Sequence, residues 1–458
     1  MTAVPRPRLT LAAVAWPLFV ESGLRVMIQT VDTLMVSHVS DDAVAAVGVS
    51  GQLVTLALMM FTFVGAGSTV VMTHHLGAGD ERGADRIAVL ALAVNGWLGL
   101  LVSGSVFALA GPALRLMQLP PRLLGLATPF LTLMGGTLVL ESVNVVRGAV
   151  LRARGRTRDA MAVAVGQNLL NVAGNCLLLF GLLGFPRLGV LGVALSSVAS
   201  RLVAFTALHL LVRRRTGVRM RPGDWLSFPA ERLRRVLSVG LPIAGENLCW
   251  SLAFLVVTSF VARMGAGSLA AQSYALQIST WATLLGASVA YGNQILIGHL
   301  VGDGAFDEAH RQVGRSLRAG LVLVLSATAV LAGMAPRLVG AFTRDPAVAA
   351  SAAVLLRLSI LLESGRTSNL VVINALRATG DSVFPVLVAM ASMWLVQVPL
   401  AWLLGLRLGV GLPGVWLALA ADEWLRALVM QRRWRRRGWL AHALRSRQAA
   451  RGTGPAPA

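Results

Sequence analysis

The residue of this chain best suited to ion chemistry is Asp32, an acidic side chain inside the first long apolar segment. An ionised carboxylate within a membrane-spanning helix costs about 3 kcal/mol or more, so such residues usually face a polar cavity and bind an ion or a proton. The alternative is a carboxylate near a helix end that simply reaches water. We predict that Asp32 alternately binds and releases a coupling cation.

A second polar group lies in the fifth apolar segment, where Asn168, Asn171 and Asn175 follow at spacings of three and four residues. These positions share one face of an α-helix. Amide oxygens are hard ligands suited to Na⁺, and amides also hydrogen-bond a protonated carboxyl. The alternative is hydrogen bonding between helices that only holds them together.

Two glutamates occupy equivalent places in the two halves of the chain. Glu21 precedes Arg25 by four residues, which is the favourable order for an ion pair within one helix, so a structural role is favoured. Glu246 has Trp250 at the corresponding place. We therefore expect Glu246 to lack a partner and to act as a proton carrier or as a wall that attracts cations.

Two further carboxylates lie within apolar segments. Glu363 can pair with Arg366 three residues later, and Glu141 lies in the fourth segment. For these groups a structural role and a transport role both stay open. We predict that Glu246, Glu363 and Asn168 line the substrate cavity, where the two carboxylates would favour cationic cargo.

The residue inventory argues against several other classes of protein. No lysine occurs, which excludes a P-loop lysine and a Schiff-base lysine. Cys176 and Cys249 lie within apolar segments and offer neither a disulfide framework nor metal-ligand spacing. The net charge of +21 is spread over short loops rather than a soluble basic face. We predict no enzyme, no nucleic-acid partner, no structural metal and no cofactor.

Composition indicates a polytopic membrane protein. The 458 residues are 56% hydrophobic and 13% charged, with a mean hydropathy of +0.71, which exceeds what a soluble chain of this length carries. Windows of about 20 apolar residues predict twelve membrane-spanning helices, the first of them retained rather than cleaved. Their approximate ranges are 11–37, 43–73, 87–110, 124–146, 159–181, 189–212, 236–262, 268–299, 319–342, 347–376, 383–406 and 413–431.

The chain also repeats itself at a fixed distance of 225 residues, which takes Pro17 to Pro242. The same offset, with no gap, pairs Glu21 with Glu246 and His74 with His299. Further pairs are Gly67 with Gly292, Gly77 with Gly302, Arg86 with Arg311, Leu151-Arg152 with Leu376-Arg377, and Arg201 with Arg426. Two homologous halves within a membrane are the usual architecture of a secondary transporter.

Arginine placement predicts the orientation. Most of the 41 basic residues, all arginine, fall at the termini and in the even-numbered connections between spans. By the positive-inside rule these regions and both termini are cytoplasmic. The prediction is an all-α membrane protein with twelve transmembrane helices in two pseudo-symmetric six-helix bundles. It divides into an N-lobe at 1–212, a cytoplasmic linker at 213–235, a C-lobe at 236–431 and a basic tail at 432–458.

Several short motifs have a recognisable order. They are Pro17-x3-Glu21, Val31-Asp32-Thr33-x-Met35-Val36, Ala45-Ala46-Val47-Gly48, Gly77-Ala78-Gly79, Gly189-Val190-x-Gly192-Val193-Ala194, Gly240-Leu241-Pro242, Ala270-Ala271 and Gly302-x-Gly304. Together they resemble the multidrug and toxic compound extrusion family, over residues 10–430. The resemblance implies two six-helix lobes and a central cavity open alternately to each side. It also implies efflux of amphipathic, often cationic compounds in exchange for Na⁺ or H⁺.

The resemblance also implies site residues. The family places two amides four residues apart beside the first-span aspartate, which maps onto Asn171 and Asn175, and a hydroxyl on the sixth helix, which maps onto Ser197. A seventh-span glutamate of some branches is replaced here by Trp250, so coupling is expected in the first lobe. The implied site for H⁺ or Na⁺ is therefore Asp32, Asn171, Asn175 and Ser197.

The leading functional prediction is a cation-coupled antiporter that exports amphipathic, often cationic drugs or metabolites by alternating access. The alternative is a flippase for a lipid-linked precursor or an amphipathic metabolite, whose anionic cargo would need a cavity ringed by arginines. A channel is disfavoured because a two-lobe repeat suits rocking of one half against the other. We expect a monomer in the lipid bilayer of the inner cell membrane.

Overall fold

A computed structural model describes residues 9–452, and in this part of the chain the protein folds into sixteen α-helices without a β-strand. The bounds are α1 Leu11–Ser37, α2 Asp41–Ala78, α3 Glu81–Leu116, α4 Pro121–Gly136, α5 Leu138–Ala153, α6 Thr157–Phe180, α7 Val190–Thr216, α8 Ala230–Ala262, α9 Ala266–Asp303, α10 Phe306–Gly333, α11 Ala335–Gly340, α12 Pro346–Ala378, α13 Val383–Ser392, α14 Val398–Trp402, α15 Leu412–Arg435 and α16 Leu440–Ala450.

Most of these helices are long enough to cross a membrane. Ten continuous helical segments in the described residues are long and apolar enough, and the bent pair α4–α5 makes an eleventh. Helix α15 falls short because Asp422, Glu423 and Arg426 interrupt its apolar sequence. The predicted all-α membrane fold is thus confirmed.

Two predicted spans are less regular than expected. The fourth bends by 42° between α4 and α5, and the eleventh contains two π-helical turns around α14.

The chain forms two compact units. The N unit contains Val20–Met72 and Glu81–Gly240, and the C unit contains the chain up to Phe19, Thr73–Asp80 and the chain from Leu241 onward. The N unit has a core of buried side chains from α2 to α5, among them Phe61 and Leu131. The larger core of the C unit joins α9, α12 and α15 and includes Trp416.

Small residues permit close helix packing. This matters in a bilayer, because the hydrophobic effect does not drive helices together there. Within the C unit, a Cβ atom on Gly77 would lie 2.1 Å from the carbonyl oxygen of His299. The repeat-related Gly302 would meet the carbonyl oxygen of His74 at the same distance. The end of α2 and the end of α9 therefore cross through a reciprocal glycine contact.

The basic tail is anchored to the C unit by ion pairs. Arg433 binds Asp381 at 2.6 Å and Arg437 binds Asp307 at 2.6 Å. Trp439, which is fully buried, stacks on Trp434 with ring centroids 4.5 Å apart. These contacts explain why a segment rich in arginine forms an ordered helix against the lobe.

Candidate functional site

The predicted coupling residues form one hydrogen-bonded chain in the N unit. The Asn175 amide nitrogen donates to a carboxylate oxygen of Asp32 at 2.6 Å and to the amide oxygen of Asn171 at 3.2 Å. The Asn171 amide nitrogen donates to the Ser197 hydroxyl oxygen at 2.9 Å. Helices α1, α6 and α7 thus each supply a part of this chain, which we call the Asp32 network.

Burial follows from the position of each residue on its helix. Asn171 and Asn175 lie four residues apart on α6, so both side chains turn inward, and they are 3% and 0% exposed. Ser197 is buried on α7. Asp32 lies just over one turn before the end of α1 and is only partly buried. The network therefore runs from a buried amide and hydroxyl to a carboxylate within reach of solvent.

Asn168 lies outside this network. Its amide nitrogen donates to the carbonyl oxygen of Ala164 within α6, at 2.7 Å. The side chain is partly exposed, seven residues before Asn175. The structure therefore separates one of the three asparagines from the other two, although all three fall on one broad face of the helix.

Arg201 completes the electrostatics of the network and was not predicted as a site residue. It is 9% exposed, and its guanidinium acts electrostatically on the carboxylates of both Glu141 and Asp32. The sequence does contain a signal for this role. Arg201 lies within an apolar segment, where a charged residue is unusual, and the repeat places Arg426 at the equivalent position. Two buried acceptors, the Asn175 amide oxygen and one Glu141 oxygen, have no hydrogen-bond partner in the described residues.

The prediction that Glu246 lacks a partner is wrong. Its carboxylate forms a short ion pair with Arg377, in the last turn of α12. The repeat-related Glu21 accepts from Arg152 at 2.9 Å, whereas Arg25 is farther away at 3.7 Å. Both pairs join residues 131 apart in sequence, so a search limited to neighbouring helical turns cannot find them.

Glu363 also proves to be neutralised. Its carboxylate binds Arg366 at 2.5 Å, which confirms the expected i, i+3 pair, and accepts from the Thr283 hydroxyl at 2.9 Å. The side chain is 0% exposed, so in this conformation it faces packed protein rather than an open cavity. Arg366 also reaches Glu423, which Asn369 binds at 2.9 Å.

The same network continues along α15. Arg426 binds Asp422 at 2.6 Å and Glu423 at 3.0 Å, and the Ser392 hydroxyl donates to Asp422. In this C-unit network each carboxylate contacts at least one guanidinium. The two networks therefore differ chemically, because Asp32 accepts a hydrogen bond from the Asn175 amide where the acids of the C-unit network form direct ion pairs.

Comparison with known proteins gives consistent matches over most of the chain. The MatE family model matches residues 17–177 and 242–403. An uncharacterized transporter, YisQ of Bacillus subtilis, is 39% identical over 442 residues, covering 96% of this chain and 97% of that protein. A probable multidrug resistance protein, NorM of Pseudomonas aeruginosa, is 30% identical and covers 89% of this chain and 84% of its own.

Solved structures share the fold. A crystal structure of MATE in the bent conformation superposes with a TM-score of 0.84 at 20% identity, over 97% of this chain and 96% of that one. A transporter of the MOP superfamily from Pyrococcus furiosus, described as having a binding pocket of reverse polarity, superposes with a TM-score of 0.82 at 20% identity. It covers 96% of this chain and 95% of its own.

Proposed function

The chain belongs to the MatE family of multi-pass membrane transporters, and we propose that it is a cation-coupled antiporter that exports amphipathic compounds by alternating access. The observation that carries the proposal is the Asp32 network. A carboxylate held by a neutral amide, as Asp32 is by Asn175, can change its charge state without breaking a direct ion pair, which a carboxylate bound to arginine cannot.

We propose that the coupling ion is H⁺. A proton needs one position on the carboxyl oxygen, whereas Na⁺ needs several oxygen ligands at once, and in this structure Asn175 approaches Asp32 with its amide nitrogen rather than its oxygen. The unpartnered amide oxygen of Asn175 supplies an acceptor for the carboxyl hydrogen. Na⁺ bound by Asp32, Asn171 and Asn175 is the competing outcome, since carboxylate and amide oxygens also suit that ion.

Cationic cargo is the second part of the proposal. Glu246 and Glu363 contribute less negative charge than their sequence positions suggest, because Arg377 and Arg366 neutralise them. The acids Asp32 and Glu141 share Arg201, so this group of three side chains carries one more acid than base. An amphipathic cation would be attracted to this excess when Asp32 is ionised and released when it is protonated.

The flippase alternative would require free positive charge for a pyrophosphate. Arg366, Arg377 and Arg426 are each bound to carboxylates, which leaves them unsuited to hold such cargo. We therefore favour export of cations, and the monomer stays a prediction.

Reconstitution into liposomes tests the coupling ion directly. Export of a cationic dye is measured with an imposed H⁺ gradient and, separately, with an imposed Na⁺ gradient. The proposal predicts dye movement with the H⁺ gradient alone. Dye movement driven only by the Na⁺ gradient would show that Na⁺, not H⁺, is the coupling ion. Dye movement under neither gradient would contradict antiport.

A further inference from the structure

An arginine without a carboxylate partner lies buried between α5 and α7 of the N unit. Arg147 is 8% exposed, and its guanidinium lies 4.0 Å from the centre of the Phe205 ring. It donates to the carbonyl oxygen of Phe205 at 2.9 Å. No carboxylate oxygen lies within 4.0 Å of it in residues 9–452. A buried guanidinium keeps its charge, so a counter-charge is missing here.

Two further donors continue this site toward the end of α7. The ring nitrogen Nδ1 of His209 accepts from Arg147 at 3.3 Å, which leaves the Nε2 hydrogen of His209 available to another acceptor. Arg213, one turn farther along, is exposed and acts electrostatically on His209. It too has no carboxylate within 4.0 Å among the described residues. The acid nearest the helix end, Asp159, already lies between Arg156 and Arg215.

The site faces outward from its unit. Helix α7 buries Ser197, Arg201 and Leu208 toward the interior, whereas Leu202 and Leu210 on the opposite side are 52% and 43% exposed. His209 and Arg213, four residues apart, lie on this exposed side, and His209 contacts Arg147 of α5. In a membrane protein, an exposed apolar helix face contacts lipid tails. The basic groups therefore lie beside a surface already suited to acyl chains.

The distances of Arg147 and His209 from the ends of their helices suit contact with a lipid headgroup. Arg147 precedes the end of α5 by six residues and His209 precedes the end of α7 by seven, which is about 9–10 Å along each helix. Long arginine side chains near helix ends reach toward the interface. Both groups thus lie within about two turns of a helix end, from which a basic side chain can reach the headgroup region.

We propose that Arg147, His209 and Arg213 form a binding site for the phosphate of an anionic phospholipid, with the acyl chains lying against Leu202 and Leu210. Basic pockets between transmembrane helices are a recurrent mode of anionic headgroup recognition. The bound phosphate supplies the counter-charge that the protein does not provide. This inference is independent of the transported cargo and of the coupling ion.

Native mass spectrometry of the delipidated full-length protein tests the site. The protein is offered equal amounts of phosphatidylglycerol and phosphatidylcholine with identical acyl chains, and the retained ratio is measured. The wild type should prefer phosphatidylglycerol. Arg147→Gln and, separately, Arg213→Gln should each lower that preference about fivefold, the factor that corresponds to about 1 kcal/mol per basic residue at an anionic surface.

Arg214→Gln is the matched control, because Arg214 is equally exposed but lies about 100° around the helix from Arg213. It should leave the preference unchanged. An equal loss in Arg214→Gln would show that surface charge alone attracts the lipid, and no preference in the wild type would remove the site. Displacement of the lipid by millimolar glycerol phosphate would assign the site to soluble phosphate esters instead. Each of these three results would overturn the proposal.

Discussion

Asn175 is the residue on which the Asp32 network depends. It is fully buried and donates to both Asp32 and Asn171, so it connects the carboxylate to the rest of the network. A hydrogen bond to a charged group is worth about 1.5–3 kcal/mol. Coupling thus depends on Asn175 as well as on Asp32. The Asn175 amide does not titrate, but it holds the titratable carboxylate of Asp32 in place.

Replacement of Asn175 should therefore impair coupling. Asn175→Ala is expected to lower gradient-driven dye export by about tenfold, the factor for about 1.4 kcal/mol, because Asp32 loses the one side-chain hydrogen bond that it makes within residues 9–452. Transport rates in proteoliposomes provide the measurement. Asn168→Ala on the same helix should transport at the wild-type rate, since the side chain of Asn168 hydrogen-bonds to Ala164 within α6 rather than to the Asp32 network. Equal transport rates for the two variants would show that Asn175 has no role in coupling.

At the scale of helices, two repeat-related ion pairs join the first and fourth spans of each half. Glu21 binds Arg152 within the N unit, and Glu246 binds Arg377 within the C unit. Each joins a glutamate near a proline to an arginine at the end of a distant helix. These pairs position helices rather than offer charge to cargo.

Glu246→Gln should consequently destabilise the protein instead of changing its charge selectivity. It leaves the guanidinium of Arg377, which is 8% exposed, without a counter-charge, and breaking a buried pair costs about 3–5 kcal/mol. Thermal unfolding in detergent should show a lower midpoint, partly restored in Glu246→Gln/Arg377→Gln. Export of cationic and neutral dyes should fall equally. A selective loss of cationic dye export would instead support the prediction that Glu246 lines the substrate cavity.

Elements of the fold differed in how far sequence could predict them. Hydropathy located the spans because each must present about 20 apolar residues to lipid, and the pair of Glu363 with Arg366 follows from helical spacing alone. The bend between α4 and α5 and the pairing of Glu246 with Arg377 depend on packing between distant segments. A single sequence carries no distance information of that kind, although the repeat of Leu151-Arg152 at Leu376-Arg377 marked both arginines.

At the scale of the whole molecule, the 225-residue repeat produced two units whose buried charges have diverged. Ser197 belongs to the Asp32 network, and its repeat counterpart is Asp422, which is bound to Arg426. The counterpart of Asp32 is Val257, which is 0% exposed in the C-unit core. One half thus has a titratable carboxylate beside amides, and the other has a network of ion pairs that includes the counterparts of Ser197 and Arg201.

The arginine distribution predicts that both termini and the 213–235 linker are cytoplasmic. Cysteine labelling in intact cells tests this orientation, with Cys176 and Cys249 first replaced by serine. Thr216→Cys, at the end of α7, should resist a membrane-impermeant reagent, whereas Ser40→Cys, between α1 and α2, should react. Labelling of Thr216→Cys from outside would invert the assignment of every span.

The central claim is that Asp32 couples cation movement to export, and Asp32→Asn tests it most directly. Asparagine keeps the size and hydrogen bonding of the side chain but cannot change charge. In proteoliposomes with an imposed H⁺ gradient, Asp32→Asn should export a cationic dye no faster than empty liposomes while still binding it. Asp41→Asn, the same change at an exposed position at the start of α2, should transport like the wild type. Well-folded Asp32→Asn that exports dye at the wild-type rate would contradict the assignment.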